Sequence, residues 1–313
     1  MTASRFVAGR GVKGERRPEL IAGIALITVP MLLFLVLNIG AIFYAAYISL
    51  WRWGLRGPRA FLGTSNYEAA LSDPIFIKAV TNTFYYVIIW VPLTMALGLF
   101  LAIIVNQKLR GQTFFRSTFY FPALASSAAI TVVWIFLLQP AGLFNEVRQV
   151  LGVNPLFRAL GFADDQNWIA TSNTAMNSII ALNAWTTSGT IMLFYLTFLQ
   201  TISKEIYEAA AIDGAGAWQA FRSITFPLLR PAHFFVATLL FIGGFQLFDQ
   251  ALIAGGKGGE PNNALTTIVL FIYRSAISDS EFGFAAAVGM ILLVIIFTVT
   301  LIQRRVFGDA PSW

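Results

Sequence analysis

The chain has 313 residues, 57% hydrophobic and only 12% charged, with no cysteine. A soluble globular chain carries about 25% charged residues, so water is not the only solvent here, and the missing thiols exclude disulfides, thiol catalysis and Cys-ligated metals. The net charge of +6 forms no basic patch interleaved with aromatics, which argues against nucleic acid as a partner; it sits at the ends of apolar runs, where membrane topology uses it.

A helix needs about 20 apolar residues to cross a bilayer, and six stretches reach or approach that length. In chain order they are 21–50, 79–105, 117–138, 175–200, 232–247 and 282–302, and none contains Asp, Glu, Lys or Arg. The first is long, and Pro30 within it marks a kink or an interfacial start. The fifth is short and gains length only by running past Asp249 to about residue 254. Residues 1–20 carry Arg5, Arg10, Lys13, Arg16 and Arg17 against Glu15 and Glu19. This segment is expected in the cytoplasm and is not a cleavable signal, since the apolar run behind it is too long and lacks a small-residue cleavage site. Thirteen Lys and Arg then fall in inside segments and eight in the longer outside ones, which also puts Arg304, Arg305 and the tail 306–313 in the cytoplasm. The expected fold is an all-α polytopic membrane protein: six transmembrane helices in one domain, residues 21–305.

Two stretches outside the spans have helical character. Residues 142–161 mix Leu143, Phe144, Val147, Val150 and Leu151 with Asn145, Glu146 and Arg148, the pattern of an amphipathic helix lying on the outer surface. Residues 265–278 are apolar but interrupted by Arg274, too short to span, and read as a re-entrant or interfacial helix beside the outer mouth.

Between the fourth and fifth spans, residues 201–231 carry the main functional signal. Ser203 is placed to cap a helix, residues 204–213 are good helix formers, and Gly214 supplies the left-handed residue that ends it. Gly216 loosens the corner, 217–224 begin a second short helix, and Pro227 stops it before the next span. The result is a stiff helix–turn–helix elbow suited to docking on a partner. The chain shows no source of energy of its own: 255–258 (Gly-Gly-Lys-Gly) lacks the spacing and hydroxyl of a phosphate loop, and the spans lack the ionisable residues usual in ion-coupled carriers. His233, the sole histidine, has no second ligand and reads as structural.

The elbow resembles the hallmark loop of the inner-membrane permeases of binding-protein-dependent ABC importers: Glu-Ala-Ala, three residues, Gly, nine residues, then Ile-x-Leu-Pro. Here it reads Glu208-Ala209-Ala210, Gly214, Ile224-x-Phe226-Pro227, with Phe226 for the usual Leu and Ser203 for a Pro common at the helix start. The wording through Asp213 is most similar to the carbohydrate-importing branch, whose relatives carry maltose, other oligosaccharides or glycerol-phosphate. Residues 61–67, Phe245 to Asp249 and 280–286 are similar to family positions too, so the likeness covers nearly the whole chain beyond residue 20.

The resemblance implies a type I ABC importer permease, multi-pass in a bacterial or archaeal plasma membrane and paired with a second homologous permease. It further implies two ATPase subunits carrying ATP and Mg, an extracytoplasmic solute-binding protein, and no cofactor on this chain. Glu208, Ala209, Ala210, Asp213, Gly214, Gly216, Ile224 and Pro227 would form the ATPase contact, with Glu208 pairing a basic group there or bracing the loop. In relatives the spans flanking this loop line the path. Asn183, Thr187 and Thr190 share one face of the fourth span, and Gln246, Asp249 and Gln250 one face of the fifth; these are the candidate solute contacts, with Trp185 or Trp134 as stacking platforms. Hydrogen bonding between helices is the competing reading of the same residues. A self-sufficient secondary carrier of a polar solute is the alternative function, and a membrane-embedded enzyme a third; the charge-free spans and single histidine leave little to build either from.

Overall fold

A computed structural model describes residues 16–107 and 111–307. Most of the expected N-terminal segment and the tail from 308 therefore lie outside the described residues. The chain opens with α1 (Arg16–Phe34), a π-helical turn (Leu35–Gly40) and α2 (Ala41–Ile48). The helix runs through Pro30 and leaves the α-helical register only at Leu35. No residue of its apolar stretch Ala22–Ile48 is fully buried, although Ala45, Ala46 and Ile48 near its end are partly covered.

A hairpin follows, β1 (Trp51–Gly54) antiparallel to β2 (Gly57–Phe61). It is a departure from the all-α expectation, built where tryptophans alternate with Arg52 and Gly57 takes a positive φ of 96°. Next comes α3 (Ser65–Ser72). Asn66 Nδ2 donates to the carbonyls of Ser49 (2.7 Å) and Trp51 (3.0 Å), and the Tyr67 and Ser49 hydroxyls lie 2.6 Å apart. The family-like stretch 61–67 is thus a clasp on the end of the first span.

The second span, α4 (Pro74–Asn106), starts where Asp73 accepts hydrogen bonds from the Ile75 and Phe76 amides with Pro74 in the first turn. The third is not the continuous helix expected over 117–138. It is α5 (Gln112–Leu124) and α6 (Ser127–Leu137), bent by 94° at the break. Ala125 leaves the helix just after Pro122, whose ring removes one backbone donor and crowds the preceding turn; Ser126 is the N-cap of the restart at Ser127. On the far side lie α7 (Leu143–Val150) and α8 (Asn154–Ala159). Two of their polar residues point inward while Glu146, Gln149 and Arg158 are exposed: Arg148 is buried, bonded to Asn145 Oδ1 (2.8 Å) and set 4.2 Å over the Phe157 ring. Leu143, Val147, Val150 and Leu151 stay exposed, so the apolar face of this amphipathic segment is the outward one.

The fourth span is α9 (Ser172–Leu199), the elbow holds α10 (Lys204–Ile212), α11 (Ala217–Ala220) and α12 (Phe226–Leu228), and the fifth span is α13 (Arg230–Phe245) with α14 (Asp249–Gly255). The fifth does continue past Asp249, after a break at Gln246–Phe248. A short apolar helix, α15 (Ile268–Tyr273), with a π-turn (Arg274–Ser278), precedes the last span, α16 (Phe282–Phe307). Helices overrun the apolar stretches, so Lys78, Arg116, Arg230 and Asp249 are helical residues near the ends of their segments.

Close approach through glycine packs the bundle. Gly98 of α4 leaves no room for a Cβ against Ile191 of α9; Gly189 leaves none against the Phe119 carbonyl of α5; an added Cβ at Gly244 of α13 would lie 3.1 Å from Val87. Around these crossings Tyr86, Ile179, Leu182, Ile191, Met192 and Tyr195 are fully buried. Asn82 Nδ2 ties α4 to the carbonyls of Asn263 (2.7 Å) and Thr266 (3.0 Å), and Thr83 Oγ1 accepts from the Ile268 amide. These bonds fix α15 against the far end of the bundle. At the same end Gly283 leaves no room for a side chain beneath the Trp51 carbonyl.

Candidate functional site

The elbow is built as its residues require. Ser203 Oγ accepts from the Glu205 amide at 3.3 Å. At the other end Gly214 turns the chain with φ of 80°, and the Ala215 amide returns to the Ala210 carbonyl at 2.9 Å, the closure that a left-handed glycine allows. Gly216 is the N-cap of α11, its carbonyl accepting from the Ala220 amide. Between its caps α10 buries no residue. Glu208, Ala209, Asp213 and Gly214 are exposed, as are the large apolar side chains of Ile206, Ile212 and Trp218. Glu208 has no hydrogen-bond or ion-pair partner among the described residues, so none of them is braced by it. Tyr207 does: its hydroxyl lies 3.0 Å from Thr225 Oγ1 of the second arm.

The second arm differs from expectation. Pro227 does not stop it; helix continues from Ala217 to Leu228 through a π-helical turn at Phe221–Thr225. The wider turn precedes the proline and accommodates a residue that cannot donate to the ladder. The arm ends instead at Leu229, where φ −81° and ψ 8° depart from helix before α13 begins. Ile224 is half-buried on this arm and Pro227 exposed.

On the far side of the bundle's middle lies a polar cavity of about 430 Å³, lined by Tyr86 and Trp90 of α4, Asn183 and Thr187 of α9, and Gln246, Asp249 and Gln250 of the broken fifth span. Five of the six candidate path residues meet there; Thr190 does not line it. Asn183 is buried and its amide donates to the Tyr86 hydroxyl at 2.9 Å, while Gln250 donates to Ser127 Oγ at 2.9 Å, at the start of α6 just past the bend in the third span. Both amides therefore hold helices together as well as facing the cavity. Gln246 and Asp249 are exposed into it, because the break at Gln246–Phe248 frees them from the helix wall. The break is anchored by Thr267 Oγ1 donating to the Leu247 carbonyl at 2.7 Å.

Sequence reasoning did not find Tyr86 and Trp90, which stack at 5.3 Å and 20°. Their spacing of four along an apolar span was the available signal. Trp134 and Trp185 stack on each other instead (6.1 Å, 21°), and the Trp134 indole donates to the Ser178 carbonyl. Neither lines this cavity, so neither serves as its stacking platform.

Residues 75–307 match the family model described as the binding-protein-dependent transport system inner membrane component. The chain is 33% identical over 286 residues to the probable ABC transporter permease protein YurN of Bacillus subtilis, covering 90% of this chain and 94% of that one. It is 34% identical over 256 residues to the arabinooligosaccharides transport system permease protein AraP of the same organism, covering 82% and 79%. In fold it is similar to a chain of a bacterial ABC transporter involved in the import of the acidic polysaccharide alginate: TM-score 0.78 at 18% identity, over 95% of this chain and 98% of that one.

Proposed function

The chain belongs to the inner membrane components of binding-protein-dependent transport systems, multi-pass permease subunits of ABC transporters and not enzymes, and from that premise we propose how it works and what it carries. It forms half of a path for a sugar or oligosaccharide in a bacterial or archaeal plasma membrane, with both termini and the elbow in the cytoplasm. A second homologous permease supplies the other half. Two separate ATPase subunits hold ATP and Mg, this chain binds no cofactor, and a solute-binding protein delivers the solute from outside.

The observation that carries this reading is α10: a helix capped at both ends that buries no residue of its own. An isolated helix of this length is marginal in water, so its rigid, exposed apolar side chains fit a groove on another protein. Glu208, with no partner among the described residues, is available to a basic group there.

The sugar reading is supported by the cavity. Amide and hydroxyl groups from Asn183, Thr187 and Gln246 suit a neutral, hydroxyl-rich solute, and the paired rings of Tyr86 and Trp90 offer a flat wall. Asp249 at this site is a poor match for a polyanion. A relative whose name specifies arabino-oligosaccharides points the same way.

The test is uptake by the reconstituted complex of both permeases, the ATPase and the binding protein. ATP-dependent import of a neutral oligosaccharide is expected, and Glu208→Arg combined with Gly214→Val abolishes it along with stimulated ATP hydrolysis. Accumulation of solute by this chain alone, without an ATPase, would instead establish a secondary carrier.

A further inference from the structure

At the elbow end of the bundle the sole histidine joins three elements. His233 is buried in the first turns of α13. Its Nδ1 lies 2.9 Å from the hydroxyl of Tyr195 on α9. Its Nε2 lies 3.3 Å from the carbonyl of Phe226, in the second arm of the elbow, and its ring centroid sits 4.5 Å from that of Phe226. A carbonyl only accepts, so Nε2 carries the proton. In the neutral ring Nδ1 is then an acceptor, and the Tyr195 hydroxyl donates to it. Each ring nitrogen is satisfied, and the direction of the chain is fixed: Tyr195 O–H to His233, and His233 N–H to Phe226.

The position of this chain matters more than its strength. Pro227 and Pro231 flank the joint at Leu229 where arm and span meet. Neither proline can donate a backbone hydrogen bond there; the Leu229 amide still reaches the Thr225 carbonyl at 3.0 Å and the His233 amide the Leu229 carbonyl at 2.9 Å, so the main chain latches the joint with two donors fewer than an unbroken helix would have. The side-chain bridge spans the same joint from outside. Tyr195 is fully buried, so its end of the bridge is anchored in the bundle. Phe226, by contrast, is half-exposed on the arm. A cavity of about 730 Å³ bounded by Pro92, Met95, Leu99 and Arg230 opens beside the bridge, leaving the joint room to bend.

We propose that Tyr195 and His233 are positioning residues that pin the elbow's second arm to the fourth span, so that displacement of the elbow moves the two cavity-lining spans together. This rests on the elbow being the site that receives motion from an ATPase, and it adds the route by which that motion enters the bundle. With the pin removed, the joint at Leu229 flexes, and elbow movement is dissipated there instead of reaching Asn183 and Gln246.

The experiment compares solute imported per ATP hydrolysed by the reconstituted complex for wild type, Tyr195→Phe, His233→Phe and the double variant. Tyr195→Phe removes one hydroxyl and keeps the buried ring. Assembly is checked by co-purification of all subunits. Stimulated ATP hydrolysis is expected to persist, while import per ATP falls about threefold to tenfold, the range one hydrogen bond commands. The double variant is expected to be no worse than the worse single one, because both break the same bridge. If His233→Phe fails to assemble, Tyr195→Phe decides alone. An unchanged ratio, whether both activities stay normal or fall in parallel, overturns the proposal, as do losses that multiply in the double variant. ATP-independent import by the wild type would refute the underlying reading instead, which separates the two failures.

Discussion

Replacing Gly214 with valine isolates the elbow from the rest of the fold. The glycine has φ of 80°, and nothing lies within 4 Å of where its Cβ would stand, so valine meets no neighbour. The whole penalty is local backbone strain. A left-handed conformation costs an L-residue about 1–2 kcal/mol, and a β-branched side chain is placed at the upper end. A cost of that size lowers the population of the closed elbow by a factor of about 5 to 30. The bundle, whose crossings lie at Gly98, Gly189 and Gly244, feels none of it. The assay is paired: thermal stability of the purified complex, expected unchanged, and solute-stimulated ATP hydrolysis, expected to fall by about that factor. Gly214→Asn should lose much less, because asparagine tolerates this conformation. Valine with full stimulated hydrolysis and full import would refute the claim that the ATPase reads the shape of this turn.

At the polar cavity, Thr187→Ala and Gln246→Ala should lower import without altering expression, since neither side chain holds another helix; unaltered uptake would remove the cavity from the path. Asn183→Leu should cost stability as well, about 0.6 kcal/mol for the lost bond to Tyr86 at the membrane average, read as a lowered thermal midpoint. Gly189→Val should abolish folding, because its Cβ has no room against the Phe119 carbonyl; normal yield would contradict the packing of α9 on α5. On the exposed lobe, the hydrogen bond from Arg158 holds the Asp164 carboxyl below its ordinary range. That sign makes the pair stabilising above the usual carboxylate range and lost as pH falls through the lowered value. The pair is solvent-exposed, so Asp164→Asn should leave the thermal midpoint at neutral pH unmoved.

What could be read from the sequence divides along physical lines. Apolar length is a strong signal because the bilayer imposes it: residues 79–105 and 282–302 sit inside helices of about their own length, and 175–200 overruns its helix only by Gln200. The first arm of the elbow was equally legible, since Ser203 and Gly214 are local start and stop signals that no tertiary contact has to supply; the second arm was not, for its helix runs on through Pro227. The 94° bend in the third span was not legible: Leu124 and Ala125 are as apolar as their neighbours, and only Pro122 and the paired serines hint at it. The same limit hid Tyr86 and Trp90, because an aromatic in an apolar run looks the same whether it faces lipid or a cavity. Hydropathy says how far a segment can reach through the bilayer, not which way each side chain turns. The two readings of Asn183 and Gln250, solute contact or helix tie, are both present in the geometry, for each amide does the one while bordering the other.

The clasp at Ser49, Trp51, Asn66 and Tyr67, closed from beneath by Gly283, has a bearing on how the protein is made. The two sides of that clasp lie far apart in sequence, residues 49–67 on one and residue 283 on the other, so it closes only after the intervening helices exist. Until then the apolar stretch Ala22–Ile48, in which no residue is fully buried, has lipid as its main neighbour. Closing the clasp is therefore a late step of assembly, one that waits on a contact of long sequence separation.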